Sequence, residues 1–197
     1  MKTRSYFLLK SWIVTSGVCL VLALLAWWMP QPAQARVAAP VALVNAASYD
    51  PTVAPGSIAA LFGSELTALG AQTATTIPLP NSLAGLSVKI NGLTAPLFFA
   101  SANQVNLQVP SGVTPGTANI EVFNGSATTP VGAGTVTVAE AAPGLFTADL
   151  SGKGQVIALN ADYSRNADFD RFPSARPEVT GSYVTIYATG VANTGMK

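Results

Sequence analysis

Gln104-Val105-Asn106-Leu107-Gln108-Val109 alternates three amides with three aliphatic side chains and then meets Pro110. A period of two puts Val105, Leu107 and Val109 on one face and the amides on the other, the pattern of a half-buried β-strand. Pro110 ends it, because proline has no N–H to give to a ladder. The same punctuation recurs on either side. Val88 to Ile90 leads into Asn91-Gly92 and then Leu93 to Phe99, and Asn-Gly is the strongest short hairpin signal because both residues tolerate positive φ. Thr117 to Phe123 closes on Asn124-Gly125, Thr135 to Ala139 alternates, and Ala42 to Ala46 and Ser57 to Gly63 supply two more runs. About seven strands between residues 41 and 140 have the size and density of an immunoglobulin-like sandwich. Residues 64 to 83, rich in Ala and Thr and ending in Pro78-Leu79-Pro80, read as a long loop.

The first 35 residues are of another kind. Lys2, Arg4 and Lys10 precede an uncharged run from Ile13 to Met29, Pro30 and Pro32 break it, and Ala33-Gln34-Ala35 offers small residues for a peptidase. This is the layout of a secretory signal peptide over residues 1–35, cut between Ala35 and Arg36. The membrane enters only if that leader stays uncut as an anchor, since the run is near spanning length. All three Trp and the single Cys lie in the leader. The remaining 162 residues contain seven basic and nine acidic residues, a net charge of −2, and no His, Cys or Trp. That composition excludes a Ser-His-Asp triad, a Cys-His dyad, an imidazole metal site and a disulfide scaffold. It also provides no electrostatic footprint for nucleic acid. Gly and Pro make up 28 of these 162 residues, a turn-rich composition and well short of a disordered one.

Ile58, Leu61, Phe62, Leu66 and Leu69 also fit a helical spacing behind Ser57, and a later segment decides between the two. Gly181-Ser182-Tyr183-Val184-Thr185-Ile186-Tyr187-Ala188 lies over Gly56-Ser57-Ile58-Ala59-Ala60-Leu61-Phe62-Gly63, and Leu159-Asn160-Ala161 echoes Val44-Asn45-Ala46. In the later copy β-branched and aromatic residues dominate, so both copies are expected to be strands. The chain therefore holds an internal repeat with a period near 125 residues. The expected organisation is an immunoglobulin-like β-sandwich over residues 36–141. A linker and an incomplete second immunoglobulin-like module follow over 142–197, truncated after two or three strands.

A series of motifs runs through both parts. Val44-Asn45-Ala46-Ala47-Ser48, Ala54-Pro55-Gly56-Ser57-Ile58 and Phe62-Gly63-Ser64-x-Leu66 come first. Pro78-Leu79-Pro80-x-x-Leu83-x-Gly85-x-x-Val88-x-x-Asn91-Gly92, Ala95-Pro96-Leu97 and Gln104-Val105-Asn106-x-Gln108-Val109-Pro110 follow. Ala142-Pro143-Gly144-Leu145-Phe146, Gly154-Gln155, Leu159-Asn160 and Tyr187-Ala188-Thr189-Gly190 complete it. In this order the chain resembles the uncharacterised C-terminal domain family described from Solibacter, found at the ends of large secreted bacterial proteins. More distantly its first part is similar to an IPT/TIG immunoglobulin-like domain. The resemblance implies an exported accessory module and carries no activity, cofactor or catalytic residue. The chain departs from the family in having its leader almost directly before the domain and in ending where the second half should continue.

Few residues are left for chemistry. Ser87 with Lys89, or Ser151 with Lys153, is the only remaining kind of hydrolytic pair, and a catalytic lysine needs burial that turns do not provide. No catalytic or cofactor-binding residue is assigned. Asp162, Asn166, Asp168 and Asp170 are the candidate metal ligands, but Arg171 stands where a calcium loop needs Gly and Pro177 where it needs Glu. Asn124-Gly125-Ser126 matches a glycosylation acceptor and reads better as a turn. The amides of Gln104, Asn106 and Gln108 form the candidate partner-contact face. Phe98 and Phe99, as neighbours on one strand, are expected to point one in and one out, the outward one joining Phe169 and Phe172 in an interaction patch. Together these features point to an exported, non-catalytic module, a spacer, adhesion or partner-binding domain at the cell envelope or outside the cell. Its partners would be another protein module or a surface glycan. The alternative is a carbohydrate-binding accessory module of a secreted glycan-active enzyme.

Overall fold

The computed structural model describes residues 37–166 and 180–192. The chain divides into two compact units, Met1–Ala35 and Arg36–Lys197, and every described residue belongs to the second. The expected leader and its cut before Arg36, like Asp168, Asp170, Phe169 and Phe172, lie outside the described residues.

The fold is all-β, with no helix among the described residues. The strands are β1 (Ala39–Pro40), β2 (Ala42–Asn45), β3 (Thr52–Val53), β4 (Ile58–Phe62) and β5 (Gln72–Thr73). Then come β6 (Leu86–Ile90), β7 (Leu93–Thr94), β8 (Leu97–Ala100), β9 (Gln104–Gln108), β10 (Gly116–Asn124) and β11 (Gly132–Val138). The last four are short: β12 (Gly144–Leu145), β13 (Ala158–Leu159), β14 (Thr185–Ile186) and β15 (Ala188–Thr189). One sheet has the order β1-β11-β10-β6-β7, with β3 also on β11, and the other has the order β2-β4-β9-β8-β5. β1 runs parallel to β11, and after Val41 the chain changes sheets to pair β2 antiparallel with β4. Strands of both sheets bury their alternate residues in one core, which includes Leu43, Leu61, Val105 and Leu107 from one sheet and Val88, Ile90, Ile120 and Val122 from the other. Each such side chain contributes about 1.5–3 kcal/mol relative to an exposed one.

Local chemistry explains where elements break. Asn91 (φ 48°) and Gly92 (φ 79°) make the turn between β6 and β7, and the Asn91 side-chain oxygen accepts the Asn119 N–H at 2.7 Å, tying the turn to β10. The run from Leu93 to Phe99 is not one strand. Pro96 has no N–H, so the chain leaves the first sheet after β7 and enters the second at β8, where the Gln108 N–H donates to the Pro96 carbonyl at 2.9 Å. Residues 64 to 83 are not merely a loop either. Leu66 is fully buried, the Thr67 hydroxyl donates to the Ala84 carbonyl at 2.9 Å, and β5 pairs with β8. Apolar residues at helical spacing thus belong to a strand followed by an irregular segment that returns Leu66 to the core.

The later segment carries the repeat into three dimensions. β13 pairs antiparallel with β14 so that Leu159 faces Thr185 and Ala158 faces Ile186. Laid over the first copy, those pairs are Val44 with Ala60 and Leu43 with Leu61, the pairs that β2 and β4 make. A turn follows the Asn in both copies, one residue shorter in the second. The Tyr49 N–H donates to the Asn45 carbonyl and the Tyr163 N–H to the Asn160 carbonyl, each at 2.9 Å, with φ of 61° at Tyr49 and 64° at Tyr163.

Candidate functional site

β9 is the centre of the second sheet and carries the amide row. Its register places Gln104 beside Phe62, Asn106 beside Ala60 and Gln108 beside Ile58, while Phe99 of β8 pairs with Asn106. Because side chains alternate along a strand, these residues share the outer face, opposite the buried Val105 and Leu107. All three amides are half-buried. Gln104 Nε2 donates to Asn106 Oδ1 at 2.8 Å, and Gln108 Nε2 donates to the Gly56 carbonyl at 3.2 Å. The amides are thus pre-oriented along the strand and fixed at both ends of the row.

Phe98 and Phe99 depart from the simple alternation. The pairing of β8 with β9 shifts between Leu97 and Phe99, and Leu97 and Ala100 fill the inward positions. The bulge therefore leaves both phenylalanines half-buried, instead of one in and one out. With Phe62, 37% exposed, they flank the amides with aromatic surface. Where β9 ends, Gly56, Leu93, Thr94, Pro96, Gln108 and Pro110 are among the residues lining an open groove of about 410 Å³. Apolar walls around one amide suit the burial of an apolar side chain or a small ring.

The other candidates have local duties. Lys89 lies across from Glu121 in the β6–β10 register, and its Nζ sits over the Phe123 ring, 5.1 Å from the centroid. Ser87 pairs with Phe123 on the same strand pair. The Ser151 hydroxyl donates to Asp149 Oδ1 at 2.8 Å and accepts the Lys153 N–H at 3.2 Å, so it is engaged with an acid. Hydrogen bonds from the Ser151 hydroxyl and N–H hold the Asp149 carboxyl below its ordinary value. Asp162 accepts from the N–H and the hydroxyl of Ser164, and Asn166 Nδ2 donates to Asn160 Oδ1 at 2.7 Å. Among the described residues no group of three His, Cys, Asp or Glu side chains gathers to hold a metal ion. Asn124 Nδ2 donates to the Leu66 carbonyl at 3.0 Å, so that amide supports the loop beneath it. Among the described residues no helix is long and apolar enough to cross a membrane.

Sequence reasoning missed the joint between the sandwich and the later segment. Asn45 is 1% exposed; its Oδ1 accepts the N–H groups of Ala47 and Ser48 at 2.9 and 3.2 Å. Its Nδ2 reaches 97 residues along the chain to the Ala142 carbonyl at 2.7 Å. The Ile58 N–H donates to Thr189 Oγ1 at 2.7 Å. Gly144 lies so close that an added Cβ would stand 2.6 Å from Asn45 Oδ1. The signal was present in the repeated Asn-Ala pair, since a buried Asn opens a turn at the matching place in both copies.

No family model matches the chain, and no curated protein matches it. Among solved structures it is similar to an auxiliary nutrient binding protein from Bacteroides ovatus, at 12% identity and a TM-score of 0.34, over 60% of this chain and 24% of that one. It is also similar to an auxiliary nutrient binding protein from Bacteroides thetaiotaomicron, at 11% identity and a TM-score of 0.33, over 56% of this chain and 23% of that one. The chain thus spans about a quarter of each of those proteins.

Proposed function

We propose that this chain is an exported, non-catalytic binding module of immunoglobulin-like type, akin to the C-terminal family described from Solibacter. It works at the cell envelope or outside the cell as a spacer, adhesion or partner-binding domain. The outer face of β9 carries this reading. Gln104, Asn106 and Gln108 stand in a row between Phe62 and the Phe98–Phe99 pair, next to the groove at Pro110. Such a face offers donors, acceptors and apolar area without charge, which suits a neutral ligand surface. The same pairing of amides and aromatics also supports the carbohydrate alternative, because a neutral sugar presents hydroxyls on its edges and C–H groups on its faces.

Three measurements test the reading. Protein recovered outside the cytoplasm of the producing cell should begin at Arg36, and retention of the intact chain in the cytoplasm would overturn the export reading. Turnover of an ester, glycoside or phosphate substrate that disappears with one substitution would overturn the non-catalytic one. A glycan array then separates the two kinds of partner: binding that is lost in Asn106→Ala assigns the face to carbohydrate, and silence across the array removes that alternative.

A further inference from the structure

Two Asn-Gly pairs close strands of the first sheet, Asn91-Gly92 after β6 and Asn124-Gly125 at the end of β10. Such a pair is open to a reaction of its own. With no Cβ on the second residue, the glycine nitrogen can approach the asparagine Cγ and close an imide ring. In Asn124-Gly125 both nitrogens of that reaction are engaged. The Gly125 N–H donates to the Gly85 carbonyl at 2.7 Å, and Asn124 Nδ2 donates to the Leu66 carbonyl at 3.0 Å. The attacking nitrogen and the departing one would each have to give up a bond. In Asn91-Gly92 neither is held. Both residues are exposed, and among the described residues neither the Gly92 N–H nor Asn91 Nδ2 has a hydrogen-bond acceptor. The bond that Asn91 does make with its side chain falls on the oxygen, where Oδ1 accepts the Asn119 N–H at 2.7 Å. A donor at that oxygen faces the negative charge that gathers when Cγ is attacked, as in an oxyanion hole. The Asn91 N–H also donates to the Asn119 carbonyl at 2.9 Å. Asn91 and Asn119 thus exchange two bonds as a ladder pair does, with the side-chain oxygen in place of the main-chain one.

We propose that Asn91-Gly92 is a self-modification site, at which Asn91 is converted to aspartate and isoaspartate with the turn kept, while Asn124 stays intact. The Gly92 nitrogen bonds to Cγ and loses its proton, the Cγ–Nδ2 bond breaks, and ammonia leaves. Water then opens the imide on either side of the nitrogen. Opening at Cγ gives aspartate, whose carboxylate still accepts from the Asn119 N–H. Opening at the main-chain carbonyl gives isoaspartate and routes the chain through Cγ. The oxygen that already faces Asn119 then becomes a main-chain carbonyl, so the ladder bond survives in this product too. Either product adds a carboxylate to a groove lined by Asn91, Gly92, Asn119 and Glu121, beside the acid already there. The change is one of surface charge, and it is irreversible because ammonia is lost. The reaction needs only water and is independent of the function proposed for the β9 face.

The test is incubation of the full-length chain in warm, mildly alkaline buffer, with the exchange of amide for acid at each pair followed by peptide mapping and mass spectrometry. Conversion at Asn91 should run about tenfold faster than at Asn124, the rate equivalent of one hydrogen bond that Gly125 must give up. In concentrated urea the two rates should converge, since both pairs then present the same glycine to solvent. Hydrogen exchange on the converted chain should show the Asn119 amide as slow as in the parent. Equal rates in the folded chain, earlier conversion at Asn124, or no conversion at either pair would overturn the proposal. A preference for Asn91 that persists unchanged in urea would also overturn it, because the local sequence and not the fold would then be its source. Free exchange at Asn119 in the converted chain would refute the survival of the turn.

Discussion

Replacing Asn45 by Ala removes three hydrogen bonds at one buried point, two that hold the turn to Ser48 and one that reaches Ala142. At about 1 kcal/mol net for each bond, and more where a buried group is left unpaired, the expected loss is about 3–4 kcal/mol. For a domain of this size that corresponds to a fall in Tm of roughly 6–16 °C. Asn45→Asp separates the two duties. Its carboxylate still accepts from Ala47 and Ser48, but it presents an oxygen to the Ala142 carbonyl where Asn presents a donor. Urea unfolding should therefore show Asn45→Ala well below the parent. Hydrogen exchange on Asn45→Asp should show the Ala142 amide, bonded at 2.9 Å to Gly190, exchanging faster while the Ala47 amide keeps its protection. A loss below about 1 kcal/mol for Asn45→Ala, or equal acceleration at Ala47 and Ala142 in Asn45→Asp, would refute the assignment of Asn45 as the joint.

Leu107→Ala opens a hole in a fully buried position between the sheets and should cost about 2–5 kcal/mol in urea unfolding, against less than about 1.5 kcal/mol for Leu107→Met. Asn91→Ala puts at φ near 48° a residue that tolerates it less well than Asn and gives the exposed Asn119 N–H to water; urea unfolding should show a loss of about 1–2 kcal/mol, with Asn91→Gly recovering the backbone part. Ser151→Ala should raise the Asp149 carboxyl toward its ordinary 3.8, read by carbon NMR titration. Because the folded value is depressed, the Ser151–Asp149 contact favours folding above the unfolded carboxyl value and fades as pH falls through the folded one. An unchanged Asp149 midpoint in Ser151→Ala would show that the Ser151 hydroxyl is not the leading cause.

The strands with strict alternation were legible from the chain alone. Val105, Leu107 and Val109 face inward because a period of two leaves no other arrangement that buries them, and Asn91-Gly92 turns because few pairs tolerate its φ values. What escaped were features fixed by contacts between distant residues. Pro96 announces that a strand breaks, but only the second sheet shows where the chain goes next. The bulge at Phe98 depends on how β8 meets β9, and no composition rule for a Phe-Phe pair contains its neighbour. Leu66 returns to the core from a segment whose Ala and Thr content suggested only a loop.

The amide row shows the same division between local and distant causes. Its place on a strand face follows from spacing, and its residues come together as that spacing requires. Its fixed orientation does not follow, because Gln108 is held by the Gly56 carbonyl, 52 residues away in sequence. The repeat is the one long-range relation that a single sequence does carry, since two copies of one pattern must solve the same pairing problem. The overlay of residues 181–188 on 56–63 specifies the register of β13 on β14, and the pairing of Leu159 with Thr185 agrees with it.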